Sequence, residues 1–199
     1  MDTITKQDTF TAKVESVREL LAGVLTHTHT GEDLPVLNSL LLSAKGGEII
    51  ATATDRYRFI EGKIAGEGEG EGEGELSATL ISSKDIKRVL ELIKDKSLNR
   101  QLITFSRVGD LVSVSLGSNS ITANAVEGSF PPYEHLFPTE FSSVESIAFN
   151  PKLFADYSKV VGKRGAVKIT FNGERKPMLI TLAGEKVSWR ALLMPMRIA

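Results

Sequence analysis

The chain contains no cysteine. Disulfides and thiolate metal centres are therefore excluded, and a reducing compartment suits the composition. No run approaches the ~20 apolar residues that span a bilayer. The opening MDTITKQDTF has no apolar signal core. Both absences point to a soluble, cytoplasmic protein. Nor is there an excess of one charge: 24 Lys and Arg stand against 25 Asp and Glu, a net of −1, so the molecule as a whole is not a polycation seeking nucleic acid. Catalytic signatures are missing as well. There is no P-loop, no HExxH, no indication of a Ser-His-Asp arrangement and no carboxylate pair spaced for acid–base work. No catalytic residue, cofactor or resident metal is expected. The nearest approach to a ligand set is His27 and His29 in THTHTGED, with Glu32 and Asp33 close by. A two-His, one-carboxylate site is conceivable there, but an exposed loop after a helix is the simpler reading.

What is present is enough apolar material for a core, 41% of 199 residues, and a repeated pattern. Two breaks divide the chain. AGEGEGEGEGEL, residues 65–76, alternates Gly with Glu; it buries nothing, repels itself and reads as a disordered acidic loop. FPPYEHLFP, residues 130–138, carries three prolines and reads as an ordered extended connector. Around them the pattern strand, helix, two or three strands occurs three times. In the first unit a strand at Thr9–Val14 leads to a helix at Ser16–Leu25, with Val17, Leu20, Leu21, Val24 and Leu25 on one face. Strands at Ser39–Ala44 and Glu48–Thr54 join through Gly46-Gly47, and another runs from Tyr57 to Ile64. The second unit places a strand at Ser77–Ile81, caps at Ser82 and Ser83, a helix at Lys84–Lys94 and strands at Leu102–Ser106, Leu111–Leu116 and Ser120–Val126. The third has a strand at Ser146–Phe149, Asn150 as cap, Pro151 in the first turn, and a helix to Val161 that Gly162 ends. Strands at Val167–Phe171, Met178–Leu182 and Trp189–Met194 follow. One-faced helices must cover sheets, which makes the fold α+β with helices packed on one side of the strands.

The exposed helix faces differ in charge. Ser82 to Arg100 holds six basic residues against Asp85, Glu91 and Asp95. Asn150 to Arg164 holds four against Asp156, whereas the first helix sets Arg18 against Glu15 and Glu19. Flexible ammonium and guanidinium groups in such rows suit sequence-independent, salt-sensitive contact with DNA phosphates. From charge alone an ordinary solvated face is the commoner explanation. The scarcity of interleaved aromatics argues against base stacking.

Three stretches resemble the bacterial replication sliding clamp, the β subunit of DNA polymerase III. LPVLNSLLLSAKGGEIIATATDRYRF (34–59) is similar to that family's middle domain with its TDGHRL-like turn. GSFPPYEHLFP (128–138) resembles the FPDYxxxxP connector, and LLMPMRIA resembles the MPMRL-type ending. ISSKDIKRVLELI looks like the second middle-domain helix. The resemblance covers most of residues 8–198.

The resemblance implies a ring with sheets outside and helices lining the hole, no catalytic activity, and a pocket that takes QLxLF-like peptides from polymerases and other partners. Carried onto this chain, the pocket comprises Thr54, Arg56, Tyr57, Arg58 and Phe59 from the turn, Pro131, His135 and Leu136 from the connector, and Met194, Pro195, Met196 and Arg197 from the last strand. Met, Pro, Leu and aromatic walls suit a promiscuous apolar site. The helix residues expected at double-stranded DNA are Lys84, Lys87, Arg88, Lys94, Lys152, Lys159, Lys163 and Arg164. Two departures stand out. Arg56-Tyr57 replaces the family's usual Gly-His, and His135 replaces a basic connector residue. Full clamps also have six half-domain units, and three are present here. Residues 1–138 then form one complete domain (half-units 8–65 and 76–130 plus connector), and 139–199 form a half-domain that another chain completes. Two such dimers make a twelve-unit ring, so a homotetramer is expected, with the Gly-Glu loop outside the hole. A clamp loader is a further partner the resemblance raises, and the short chain suggests a phage or mobile-element source. The competing reading is a clamp-like decoy or adaptor that keeps the pocket without encircling DNA.

Overall fold

A computed structural model of the chain describes residues 8–67, 75–162 and 165–197. The three units are visible in the order of elements. The first contains β1 (Asp8–Lys13), α1 (Val14–Leu25), β2 (Ser39–Lys45), β3 (Glu48–Thr54) and β4 (Arg58–Ala65). The second contains β5 (Leu76–Ser82), α2 (Ser83–Leu92), β6 (Leu102–Val108), β7 (Leu111–Leu116) and β8 (Asn119–Asn124). The third contains α3 (Pro151–Ala155), α4 (Tyr157–Val161), β9 (Val167–Thr170), β10 (Met178–Leu182) and β11 (Ser188–Leu193). The architecture is α+β, and every ladder between these strands is antiparallel.

The first two units exchange their opening strands. β1 joins the second unit's strands in the order β1-β6-β7-β8, and β5 joins the first unit's. The second sheet then runs on into the third unit, in the order β5-β2-β3-β4-β11-β10-β9. The seam is β4 against β11, from Arg58 opposite Leu193 to Lys63 opposite Ser188. Within the chain the third unit thus shares one sheet edge with the first.

Local chemistry explains several element ends. Ser82 Oγ accepts from the Asp85 N–H and starts α2. Asn150 Oδ1 does the same for Lys152 N–H ahead of Pro151. Gly46 and Gly47 turn β2 into β3 with φ of 61° and 78°, a conformation that side chains resist. The helices lie on one face of the sheets over a shared core that includes Phe10, Val17, Leu20, Ile60, Phe105, Tyr157, Ile180 and Trp189. Trp189 lies flat on the seam. A Cβ at Gly62 would sit 2.4 Å from its ring, so only glycine lets the indole settle there.

Two elements depart from expectation. The third helix is interrupted at Asp156, where the Leu153 carbonyl accepts from Arg58 Nη1 at 3.1 Å. The strand at 146–149 is reduced to a single bridge, Ala148 to Met196. The Gly-Glu tract falls largely at residues 68–74, outside the described residues.

Candidate functional site

The turn between β3 and β4 is built by its own side chains. Asp55 Oδ1 accepts from the backbone N–H of Tyr57 and of Arg58, both at 3.0 Å. Thr54 Oγ1 donates to the Arg58 carbonyl at 2.8 Å. Arg56, between them, holds φ at 78° and is the one non-glycine residue with positive φ among the described residues. Such strain in an L-residue is kept where surrounding contacts over-determine the backbone. Tyr57 projects outward, 62% exposed. The Met194 N–H donates to the Tyr57 carbonyl at 2.8 Å, which ties the chain's last strand to this turn.

Arg58 points the other way and is buried. Its Nε meets Asp55 Oδ2 at 2.8 Å, Nη1 meets Asp156 Oδ2 at 2.6 Å, and Nη2 donates to the Thr26 carbonyl at 2.8 Å. One guanidinium thus joins the end of α1, the turn and the α3–α4 junction. Burial acts against its charge, but hydrogen bonds to Asp156 and Asp55 outweigh that and hold its pKa above the usual value. At Asp156 burial works to raise the pKa, and hydrogen bonds from Lys159 and Arg58 override it, leaving the carboxyl below its ordinary value.

Beside this hub lies His27, expected in an exposed loop and instead fully buried against Tyr157, with ring centroids 5.1 Å apart. The reason is local. α1 runs to Leu25, and a further backbone turn, His27 N–H to the Val24 carbonyl, folds the ring inward. Thr26 Oγ1 donates to the Gly23 carbonyl, so the His27 Nδ1–H is the donor to Thr26 Oγ1 at 2.7 Å. Desolvation, then the nearby Arg58 cation, push its pKa down to about 3. His29 pairs with Asp33 at 2.9 Å. Among the described residues no group of three or more His, Cys, Asp or Glu could hold a metal.

These contacts frame a groove of about 1070 Å³ to which all three units contribute. Its apolar wall is Leu25, Leu153, Met194, Pro195 and Met196. Asn38, Asn150, Thr26 and Tyr57 supply polar edges, and Asp55, Arg58 and Asp156 lie at its base. Met194 and Met196 are 41% and 53% exposed, a large uncovered thioether surface. Lys84, Lys87, Lys152 and Lys159 form the rim.

The groove brings together Tyr57, Arg58, Met194, Pro195 and Met196 from the expected peptide residues. Thr54 braces the turn; Arg56, within that turn, and Arg197, next to Met196 in sequence, are exposed. Phe59 falls on the opposite face of the sheet from Arg58, because successive strand residues alternate. It packs there on Tyr133 and Phe137 of the connector. Arg190 lies 4.0 Å above the Phe137 ring and forks onto buried Glu61 at 2.6 and 2.9 Å. Pro131, His135 and Leu136 are exposed on that side and do not line the groove. Of the residues expected at DNA, Arg88, Lys94 and Lys159 form ion pairs with Asp85, Glu91 and Asp156. Lys84, Lys87 and Lys152 have no ion pair among the described residues, and Lys163 and Arg164 lie outside them. Sequence reasoning missed Leu25, Asn150, Leu153 and Asp156 as lining residues. The available signal was Asp156, the lone acid among the bases of the third helix region.

No protein-family model matches the chain. In sequence it is 32% identical over 117 residues to the β sliding clamp homolog GriR of Streptomyces muensis, a stretch covering 57% of this chain and 30% of that protein. In structure it is similar to the DNA polymerase sliding clamp of Bacillus subtilis, with TM-score 0.81 at 15% identity over 100% of this chain and 67% of that one. The DNA polymerase III β subunit of Thermotoga maritima gives TM-score 0.82 at 18% identity, over 96% and 66% of the two chains.

Proposed function

From a chain with the sliding-clamp fold, related in sequence to bacterial β clamps, we propose a DNA sliding clamp: a non-catalytic processivity factor that encircles duplex DNA and tethers a polymerase through a peptide groove. The observation that carries this reading is the groove itself. The Asp55–Arg58 turn of one unit and Met194–Met196 of another are hydrogen-bonded to each other, and both border it. That arrangement suits an extended peptide with apolar anchors laid against methionine and leucine walls. The partners proposed are double-stranded DNA, a polymerase and other proteins bearing QLxLF-like motifs, and a clamp loader. In a ring built of such units, the exposed bases of α2 and of the α3–α4 region face phosphate. The ring is a homotetramer, working in the cytoplasm of a bacterium or of a phage host. Retention comes from topology, so the phosphate contacts need only be weak and mobile.

A labelled QLxLF-like peptide tests the groove by fluorescence anisotropy. Saturable binding is expected, weakened at least about tenfold, or ~1.4 kcal/mol, by Met196→Asp. Binding unaffected by that substitution would remove the groove from the account.

A second reading, an adaptor or decoy that captures clamp-binding peptides without encircling DNA, is favoured by one specific feature. The groove is complete within a single chain, and four of the eight bases assigned to DNA (Lys84, Lys87, Lys152 and Lys159) form its rim. The two readings part on whether the assembled particle is held by closed circular DNA.

A further inference from the structure

The opening strands of the three units are equivalent residue by residue. Each leads directly into a helix, and the N-cap positions are Lys13, Ser82 and Asn150. Two residues before each cap, the carbonyl accepts a backbone hydrogen bond from the segment that follows the unit's last strand. Glu67 N–H bonds to Thr11 at 2.9 Å, Val126 N–H to Leu80 at 2.9 Å, and Met196 N–H to Ala148 at 2.7 Å. Segment 146–149 is therefore held in the same place as β1 and β5.

The other edge of that strand is where the units differ. β1 pairs with β6, the first strand after the second unit's helix: Lys13 stands opposite Leu102, Ala12 opposite Ile103 and Phe10 opposite Phe105. β5 pairs with β2 in the same offset, Ser82 opposite Ser39 and Ile81 opposite Leu40. Segment 146–149 has no such ladder among the described residues. β9, the first strand after the third unit's helix, pairs only with β10 and ends the seven-stranded sheet; just past its last residue a single parallel bridge joins Ser142 to Asn172. The other end of that sheet is closed by the equivalent partner, β5.

Burial follows the same division. Phe10, Ala12, Ile81, Leu40, Ile103 and Phe105 are each at most 3% exposed. Their third-unit counterparts, Ile147, Phe149, Val167 and Ile169, are only half-buried. Val167 and Ile169 share their face with buried Leu182 and Ile180 across β9–β10, so an apolar stripe continues to an uncovered edge.

We propose that segment 146–149 of one chain adds to β9 of a second copy, and reciprocally, in the offset the first two units display. Phe149 then lies opposite the second copy's Val167, Ala148 opposite its Lys168 and Ile147 opposite its Ile169. The exchange is a two-fold, isologous contact that closes on itself. It completes both ladders, buries both apolar stripes and removes an exposed sheet edge. This inference rests on the clamp reading only for what the dimer goes on to build: the dimer holds six units, and two dimers form the ring.

The absence of cysteine makes the test direct. At the equivalent pair in the first ladder the hydroxyls of Thr11 and Thr104 are 3.0 Å apart. The double variant Ala148→Cys/Lys168→Cys should therefore oxidise to a covalent dimer, seen on a non-reducing gel, while each single variant stays uncrosslinked. Ser146→Cys/Thr170→Cys is the second pair in the same register and serves if the first fails to fold. Sedimentation of the unmodified chain at micromolar concentration should show a dimer or a multiple of it, and Ile147→Ser should weaken it at least tenfold. Folded double variants that remain uncrosslinked, or a monomeric wild-type chain, overturn the exchange. A particle that stays on circular DNA without crosslinking refutes this inference and spares the clamp reading. A crosslinked dimer that leaves circular DNA does the reverse.

Discussion

The guanidinium of Arg58 reaches Asp55, Asp156, the Leu153 carbonyl and the Thr26 carbonyl from a buried position. Its removal leaves Asp55 partly buried without its cation and Asp156 with only the exposed Lys159, which costs more than losing a surface pair. Arg58→Met is expected to lower stability by about 3 kcal/mol in urea titration; a loss below ~1 kcal/mol would show that the hub is solvent-compensated. His27 makes a second prediction at this scale. Its folded pKa, about 3, lies below the ordinary value of 6.5. The unfolded chain therefore takes up a proton near pH 6.5 and the folded chain does not until about pH 3. Stability is lost as pH falls through that window, at up to about 1.4 kcal/mol per pH unit. Asp156, also depressed, adds its own loss lower in the range, below the ordinary carboxylate pKa. His27→Gln should flatten the fall between pH 6.5 and roughly 4.5, leaving the carboxylate part. An unchanged profile would mean that the ring titrates freely. Neither residue's role was legible in sequence. Nothing in the sequence marks Arg58, expected at the peptide groove, as a structural hub as well, and the burial of His27 depends on one extra turn after α1.

At the scale of elements, the seam between β4 and β11 decides where the third unit stands. Trp189 crosses it above Gly62, and a methyl group there would meet the indole at 2.4 Å and Leu20 at 2.6 Å. Gly62→Ala is expected to destabilise by about 1–3 kcal/mol through overpacking, read as a drop in thermal midpoint, with the paired variant Gly62→Ala/Trp189→Phe recovering part of it. No drop would show that the indole can move aside. The strands and helices themselves were largely legible. β3, β7 and β10 lie where alternation places them, and the caps at Ser82 and Asn150 and the stop at Gly162 are read from residue type. The seam was not legible, because β4 and β11 are more than a hundred residues apart and both are apolar enough to pair with several strands. The break at Asp156 was hidden for a similar reason: its cause is an arginine from another unit. Strand 146–149 shows the converse. Its β-pattern is correct, yet only a bridge forms within one chain.

For the whole molecule, the net charge of −1 conceals a separation of roles. The outer face of the seam is locked by Arg190, Glu61 and the connector aromatics. The helix face carries the groove and Lys84, Lys87 and Lys152, which have no ion pair among the described residues. The sequence names Tyr57, Arg58 and Met194–Met196 and, separately, Lys84, Lys87 and Lys152. That they meet at one rim became visible only once α2 and the α3–α4 region stood side by side. If that face surrounds a duplex, contact is electrostatic and weakens steeply with salt, while encirclement persists. The most direct measurement is retention on DNA: particles assembled on closed circular plasmid, passed through a sizing column in high salt, before and after a single cut. The account predicts that the protein stays with the circle and is released when the plasmid is linearised. Equal release from circle and line, with peptide binding intact, would contradict it.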